Sequence, residues 1–360
     1  MGTYLLKRIL YSILVIWGVI TLVFFLFNVL PGNSALMQVG QHTDSTSVAA
    51  VKHDLGLDQP LDVQYLKYLN DLSPLSFYNI KKPEHPFFLD GKMVLKRVQL
   101  FKIGSDWCAI IKYPYLRRSY QNREAVSSII LKTIPNTFIL ALTAILFAAI
   151  LGIFLGVLAA IYKDSWYDRI SLVFSSLGMS LPSFFAAILI AWFFAFILGK
   201  YTGLEITGNL FEVDDFGNGV HLMLKNLILP SLTLGLRPLA IVLQLSRNSM
   251  LNVLAQDYIR TARAKGLNFR QVIWRHALKN SLNPVITSIS GWFASMMAGV
   301  IFIEYIFGWK GLGFIIVSAL NNYDLPLVMG AVLTLSVVFA LINILVDFIY
   351  TALDPRIRLS

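Results

Sequence analysis

The side chains able to do chemistry are few and poorly grouped for catalysis. His42, His53, His85, His221 and His276 lie far apart, without the short spacing that lets imidazoles share a metal ion, and neither His-Glu-x-x-His nor Gly-x-Ser-x-Gly occurs. No Gly-x-x-x-x-Gly-Lys-Ser/Thr loop is present, so nothing in the chain forms the backbone cradle that holds nucleotide phosphates. Cys108 is the single cysteine, which excludes an intramolecular disulfide and argues against a cysteine metal site. No catalytic, cofactor-binding or metal-binding residues are expected, and the chain is not read as an enzyme.

Two other sets of polar residues remain. The first lies inside apolar runs. Arg237 stands beside Pro238 in the run 227–245, where a central arginine costs about 2.5–3.5 kcal/mol to insert in a bilayer, so it needs water or a partner. Its two readings are a lining residue that meets a carboxylate and a structural pair across a subunit interface. Asn343 and Asp347, one turn apart in the run 327–350, read as an interhelical hydrogen-bonding site, with the pathway as the alternative. Glu304, near the outer end of the run 285–307, reads as solvated or associated with a gate.

The second set is a basic connection. Asp257, Tyr258, Ile259, Arg260, Thr261, Ala262, Arg263, Ala264, Lys265, Gly266, Leu267, Asn268, Phe269 and Arg270 are followed by a second stretch to Pro284. Gly266 can take the left-handed backbone that ends one short helix, and Asn268 can cap the next. Ile259, Ala262 and Gly266 share one face of the first helix, and Val272, His276 and Lys279 one face of the second. The expectation is a capped two-helix knob that plugs into a cleft on another protein. The plainer reading, basic residues that hold topology and touch anionic lipid, does not call for a capped hairpin.

The elements that position these residues are membrane spans. Of 360 residues, 56% are hydrophobic and 14% charged, a composition outside the soluble range. The formal net charge of +10 does not read as nucleic-acid binding, because the basic residues lie between apolar runs. Apolar runs at 9–30, 134–161, 170–198, 227–245, 285–307 and 327–350 make about six spans. The first is longer than the core of a signal peptide and is read as a retained helix. Arg247, Arg260, Arg263, Lys265, Arg270, Arg275 and Lys279 outweigh Asp257 in the basic connection, while Glu205, Glu212, Asp214 and Asp215 mark the connection after Leu198. The positive-inside rule then places both termini in the cytoplasm, with Arg356 and Arg358 in the tail.

Three regions follow: a tail and first span (1–31), an extracytoplasmic insertion (32–132), and a five-span core (133–360) that holds the basic loop 246–283. Within the insertion, 51–69 reads as a helix interrupted by a turn at 56–60. Asp90-Gly91 and Gly104-Ser105-Asp106 punctuate runs rich in Val, Ile, Phe and Tyr, as in a small antiparallel meander. The subdomain is expected to pack as a cap over the first two spans, with a docking surface for a substrate-delivering partner as the alternative.

Over these same residues the sequence resembles the permease subunits of the oligopeptide and dipeptide (peptide/nickel) branch of ATP-binding-cassette importers. The block from Asp257 to Leu267, followed by Trp274-Arg275-His276-Ala277-Leu278-Lys279-Asn280, is similar to that branch's cytoplasmic coupling motif. Further matches are Leu30-Pro31-Gly32, Leu55-Gly56-Leu57-Asp58-Gln59-Pro60-Leu61, Thr133-Ile134-Pro135-Asn136-Thr137, Glu304-Tyr305-Ile306-Phe307-Gly308-Trp309-Lys310-Gly311-Leu312-Gly313, the stretch from Asn343 to Tyr350 and the ending Leu353-Asp354-Pro355-Arg356-Ile357-Arg358. The chain departs from the branch at 77–120, which looks like an insertion, and at Asn283, where members often carry leucine before the proline.

The resemblance implies an all-α integral membrane protein of the type I importer permease fold, with a small mixed α/β extracytoplasmic insertion, in the inner membrane. It also implies a second homologous permease, two cytoplasmic ATPases that carry ATP and Mg, and an extracytoplasmic binding protein, besides membrane lipid. Coupling would fall on Asp257, Tyr258, Arg260, Ala262, Arg263, Ala264, Lys265, Gly266 and Leu267, and the cargo would be di- or oligopeptides. The alternatives are an importer for nickel complexes or glutathione, and a stand-alone secondary transporter. The few ionisable groups within the spans make the secondary transporter a poor fit.

Overall fold

The computed structural model describes residues 2–29, 58–82, 85–89, 97–213 and 219–353. Its helices, in chain order, are α1 (Gly2–Val29) and α2 (Leu61–Leu72), then α3 (Val126–Ile161), α4 (Trp166–Ser180) and α5 (Ser183–Ile190). α6 (Ile228–Leu254), α7 (Asp257–Ala264), α8 (Asn283–Gly299), α9 (Ile301–Ile306), α10 (Leu312–Asn321) and α11 (Leu325–Leu353) follow. Strands β1 (Leu75–Asn79), β2 (Arg97–Ile103) and β3 (Trp107–Lys112) form one antiparallel sheet of order β1-β3-β2, and β4 (Phe211–Val213) pairs with β5 (Val220–Leu222).

Among the described residues, four helices are long and apolar enough to cross a membrane: Leu6–Phe27, Val126–Ile161, Leu224–Leu254 and Leu325–Phe348. The run expected as one span over 170–198 is instead two helices bent by 113°, Trp166–Ser180 and Ser183–Ile197, the last residues of the second being π-helical. Pro182 is the cause. It has no N–H to continue the ladder and forces the preceding Leu181 into an extended conformation, ψ 128°. Where the fifth span is expected at 285–307, the chain makes α8 and α9, joined at Val300. Pro238, by contrast, sits inside a continuous α6.

The chain divides into two compact units. One comprises the described residues of 133–314 together with 338–353. Its centre is α6, against which both α4 and α8 pack. Gly152 and Gly156 of α3 lie so close to α6 that a Cβ would stand 2.8 Å from Val242 at the first and collide with the Leu243 carbonyl at the second. Gly235 of α6 answers them, with the Ala144 carbonyl 2.8 Å from where its Cβ would be. Small residues let backbones approach where lipid leaves packing as the main attraction between helices. On the opposite side of α3, Leu142, Leu146, Ile150 and Phe154 recur every four residues and are exposed, the stripe a bilayer would cover.

The other unit comprises the described residues of 2–132 together with 315–337. Val23 and Phe24 of α1, Tyr68 and Leu72 of α2, and Met329 and Leu333 of α11 form its buried cluster. The hairpin of β2 and β3 turns at Gly104-Ser105-Asp106, where the sequence places a turn, with Gly104 at φ 64°. Asp71 is fully buried at the junction of α2 and the sheet. Its carboxylate lies 3.4 Å from the Arg117 guanidinium, and Lys112 Nζ donates to its carbonyl. Burial pushes the Asp71 carboxyl up, and the Arg117 and Lys112 charges act against it. Of the helix expected over 51–69 with a turn at 56–60, the part from Leu61 is observed, after Pro60, and 51–57 lie outside the described residues. The expected turn at Asp90-Gly91, His42 and His53, Asp214 and Asp215, and Arg356 and Arg358 of the tail lie outside the described residues.

Candidate coupling and translocation sites

The hairpin after α6 is built by its caps. α7 ends in the reciprocal pattern that closes a helix on a left-handed residue. Gly266 N–H donates to the Arg263 carbonyl at 3.0 Å and Leu267 N–H to the Ala262 carbonyl at 3.4 Å. Gly266 itself has φ 80°, which a residue with a Cβ adopts only at a cost. The next helix starts at Asn268, whose side chain accepts from Gln271 N–H at 2.8 Å while the Gln271 side chain accepts from Asn268 N–H at 3.2 Å, a full capping box. It continues through a π-helical stretch, Val272–Ala277, to Ser281.

The apolar face of this hairpin points inward, onto its own chain. Ile259 and Ala262 are buried together with Val272, Ile273 and Ala277 against Val157, Ala160 and Met250 of the same chain. The reason is hydrophobic: with Ile259 and Val272 fully buried, the hairpin is fastened to the ends of α3 and α6 and cannot swing freely. Asn280 donates to the Tyr258 hydroxyl at 3.0 Å, and Ser249 to the Ser281 carbonyl at 2.8 Å, locking the two arms to each other and to α6.

What remains exposed is the outer crest: Tyr258, Arg260, Arg263, Ala264, Lys265, Gly266, Phe269, Arg270 and Trp274. Asp257 is exposed too, 3.5 Å from Arg260, a contact of little energetic weight in water. Arg247 is withdrawn from this basic surface. Its Nε and Nη2 donate to the two Asp168 carboxylate oxygens at 2.5 and 2.7 Å, tying α6 to the first turn of α4.

Of the residues named inside the apolar runs, Arg237 is exposed and its guanidinium lies 5.8 Å from the centre of the Trp292 ring. Asn343 donates within its own helix, to the Phe339 carbonyl at 2.9 Å, rather than across helices. Of the two readings of Glu304, the solvated one is corrected, because the side chain is fully buried. Oε1 accepts from the Thr137 hydroxyl at 2.7 Å, and Oε2 from Gly313 N–H at 2.6 Å and Phe314 N–H at 3.2 Å. The carboxylate thus fills the first turn of α10, where unsatisfied N–H groups favour an anion. The Trp309 indole N–H donates to the Asn136 carbonyl beside it. Sequence reasoning missed α10 and the Asn209–Glu212–Asn226 cluster, in which Asn209 Oδ1 accepts from Lys310 N–H at 2.7 Å. The bond from Lys310 joins residues far apart in sequence, and no local period announces it.

The model of the binding-protein-dependent transport system inner membrane component matches residues 152–359, and that of its N-terminal region matches residues 1–88. The chain belongs to this family. As an importer permease it is a multi-pass inner-membrane protein that works with separate ATPase and substrate-binding subunits. The permease is 31% identical to the dipeptide transport system permease protein DppB of Alkalihalophilus pseudofirmus, over 99% of this chain and 100% of that one. It is 31% identical to the glutathione transport system permease protein GsiC of Salmonella paratyphi A and 35% to a putative peptide transport system permease of Brucella abortus, each over 99% of both chains. The permease also shares a fold with an inward-facing structure of the MetNI methionine ABC transporter. The TM-score is 0.50 at 15% identity, over 63% of this chain and 97% of that one.

Proposed function

We propose that this permease pairs with a second permease subunit of similar fold to form the membrane path of a peptide importer. Two cytoplasmic ATPases, with ATP and Mg, supply the energy, and an extracytoplasmic protein delivers the cargo. The peptide assignment is supported by full-length relatives named for dipeptides, for peptides and for glutathione, itself a short peptide. Both termini lie in the cytoplasm, residues 32–132 lie outside, and loop 246–283 of the 133–360 core meets an ATPase.

The observation that carries this reading is the way the hairpin is held. Its apolar face is spent on its own chain, Ile259 and Ala262 being buried and Leu267 packed against them, so a push on the exposed crest residues Tyr258, Arg260, Arg263, Ala264, Lys265 and Gly266 is transmitted to α3 and α6 rather than absorbed by a flexible loop. Closure of the ATPases then shifts the balance between inward-open and outward-open states by the difference in their contacts with the crest.

Gly266 gives the test. Nothing lies within 4 Å of a Cβ built there, so a substitution strains the backbone without a clash. Gly266→Val is expected to insert normally but to lose uptake and ATPase stimulation in the reconstituted importer, whereas Gly266→Asn, which tolerates a left-handed backbone, retains most of both. Normal ATP-driven uptake by the valine variant would refute the coupling role.

A further inference from the structure

The bend at Pro182 opens a pocket of about 570 Å³, its mouth included, lined by Leu181, Ser183, Thr233, Arg237, Trp292 and Ser295 among others. Among the described residues, no aspartate or glutamate lines it. Among the described residues Arg237 has neither an ion pair nor a hydrogen bond, and its recorded contact is the Trp292 ring face. That ring holds the planar guanidinium by cation–π attraction and leaves its N–H fork unused. α5 begins at the same pocket with Ser183, no side chain caps it, and the hydroxyls of Ser183 and Ser295 make no hydrogen bond among the described residues.

A pre-oriented guanidinium fork, two hydroxyl donors and the positive end of a helix fit one chemical class, a carboxylate. Broken membrane helices whose half-helix starts face a cavity suit the same kind of ligand. We propose that Arg237 forms a carboxylate subsite in the translocation path and receives the free carboxylate of the travelling peptide. The proposal rests on the peptide-path reading above. The competing role for Arg237 is a permanent ion pair with an acid of the second permease.

The test uses the whole importer in lipid nanodiscs without nucleotide, with phenylglyoxal as an arginine reagent and mass spectrometry as the readout. Trialanine is expected to protect Arg237 from labelling roughly tenfold or more, and trialanine amide to give no protection. Equal protection by the two, no protection by either, or an Arg237 that is unreactive before peptide is added would overturn the subsite.

A second arm measures ATP-driven uptake. Arg237→Gln is expected to lower trialanine uptake roughly tenfold or more, to leave amide uptake unchanged, and to be partly rescued by Arg237→Lys. Equal loss of both cargoes would assign Arg237 to subunit pairing instead. If wild-type importer carries neither peptide, the cargo reading fails, and the labelling result still decides the subsite.

Discussion

At the scale of residues, Glu304 shows how far a buried carboxylate can be committed to its own fold. Its two oxygens hold Thr137 on α3 and the first N–H groups of α10, and a Cβ on Gly311 would run directly into that carboxylate. Two substitutions separate charge from space. Glu304→Ala strands the Gly313 and Phe314 donors in a buried site, at about 1–3 kcal/mol for each group left unsatisfied. Glu304→Gln keeps an acceptor for them and costs less. Gly311→Ala is expected to approach the effect of Glu304→Ala, because one methyl displaces the carboxylate from its donors. Thermal unfolding of the purified importer should rank the glutamine variant as the mildest of the three. If all three unfold like wild type, the network carries no stability.

At the scale of elements, the hairpin was the most legible part of the chain. Its stops are local: a glycine that must be left-handed, an asparagine three residues before a glutamine, and a proline at the return. Each reads directly as backbone geometry. The direction of its apolar face was not legible, because periodicity says which residues share a face and is silent on what covers it. The 113° bend at Pro182 was half legible. Proline marks a break, but only tertiary packing on α6 decides whether a break becomes a kink or a corner.

This division makes opposite predictions for two hairpin positions. Asn268→Ala removes one cap bond and is expected to cost about 1 kcal/mol, leaving assembly with the ATPases intact. Ile259→Asp puts a charge into a fully buried position and is expected to detach the hairpin from α3 and α6, abolishing co-purification of the ATPases while the permease still inserts. Unchanged co-purification with Ile259→Asp would mean that the buried face does not hold the docking crest in place.

At the scale of the whole molecule, the spans announce themselves by length and hydropathy, and their sidedness is a matter of charge. Withdrawing Arg247 into its bond with Asp168 still leaves Arg260, Arg263, Lys265, Arg270, Arg275 and Lys279 in the connection after α6, whereas the connection after Leu198 carries Glu205 and Glu212. Each cation near an anionic cytoplasmic leaflet contributes about 1 kcal/mol, so reversing the chain would forfeit several kcal/mol. The segment 32–132 is also rich in lysine and arginine, and it is too long for the charge rule to govern. That makes it the discriminating place to probe. In a Cys108→Ser background, cysteine at exposed Lys265 should react with a membrane-impermeant maleimide in inverted vesicles and be silent in spheroplasts, and cysteine at exposed Tyr113 should do the reverse. Labelling of both positions from one side would break the assignment of 32–132 to the outside. Labelling of Lys265→Cys from outside would remove the hairpin from the ATPases altogether, and the coupling reading with it.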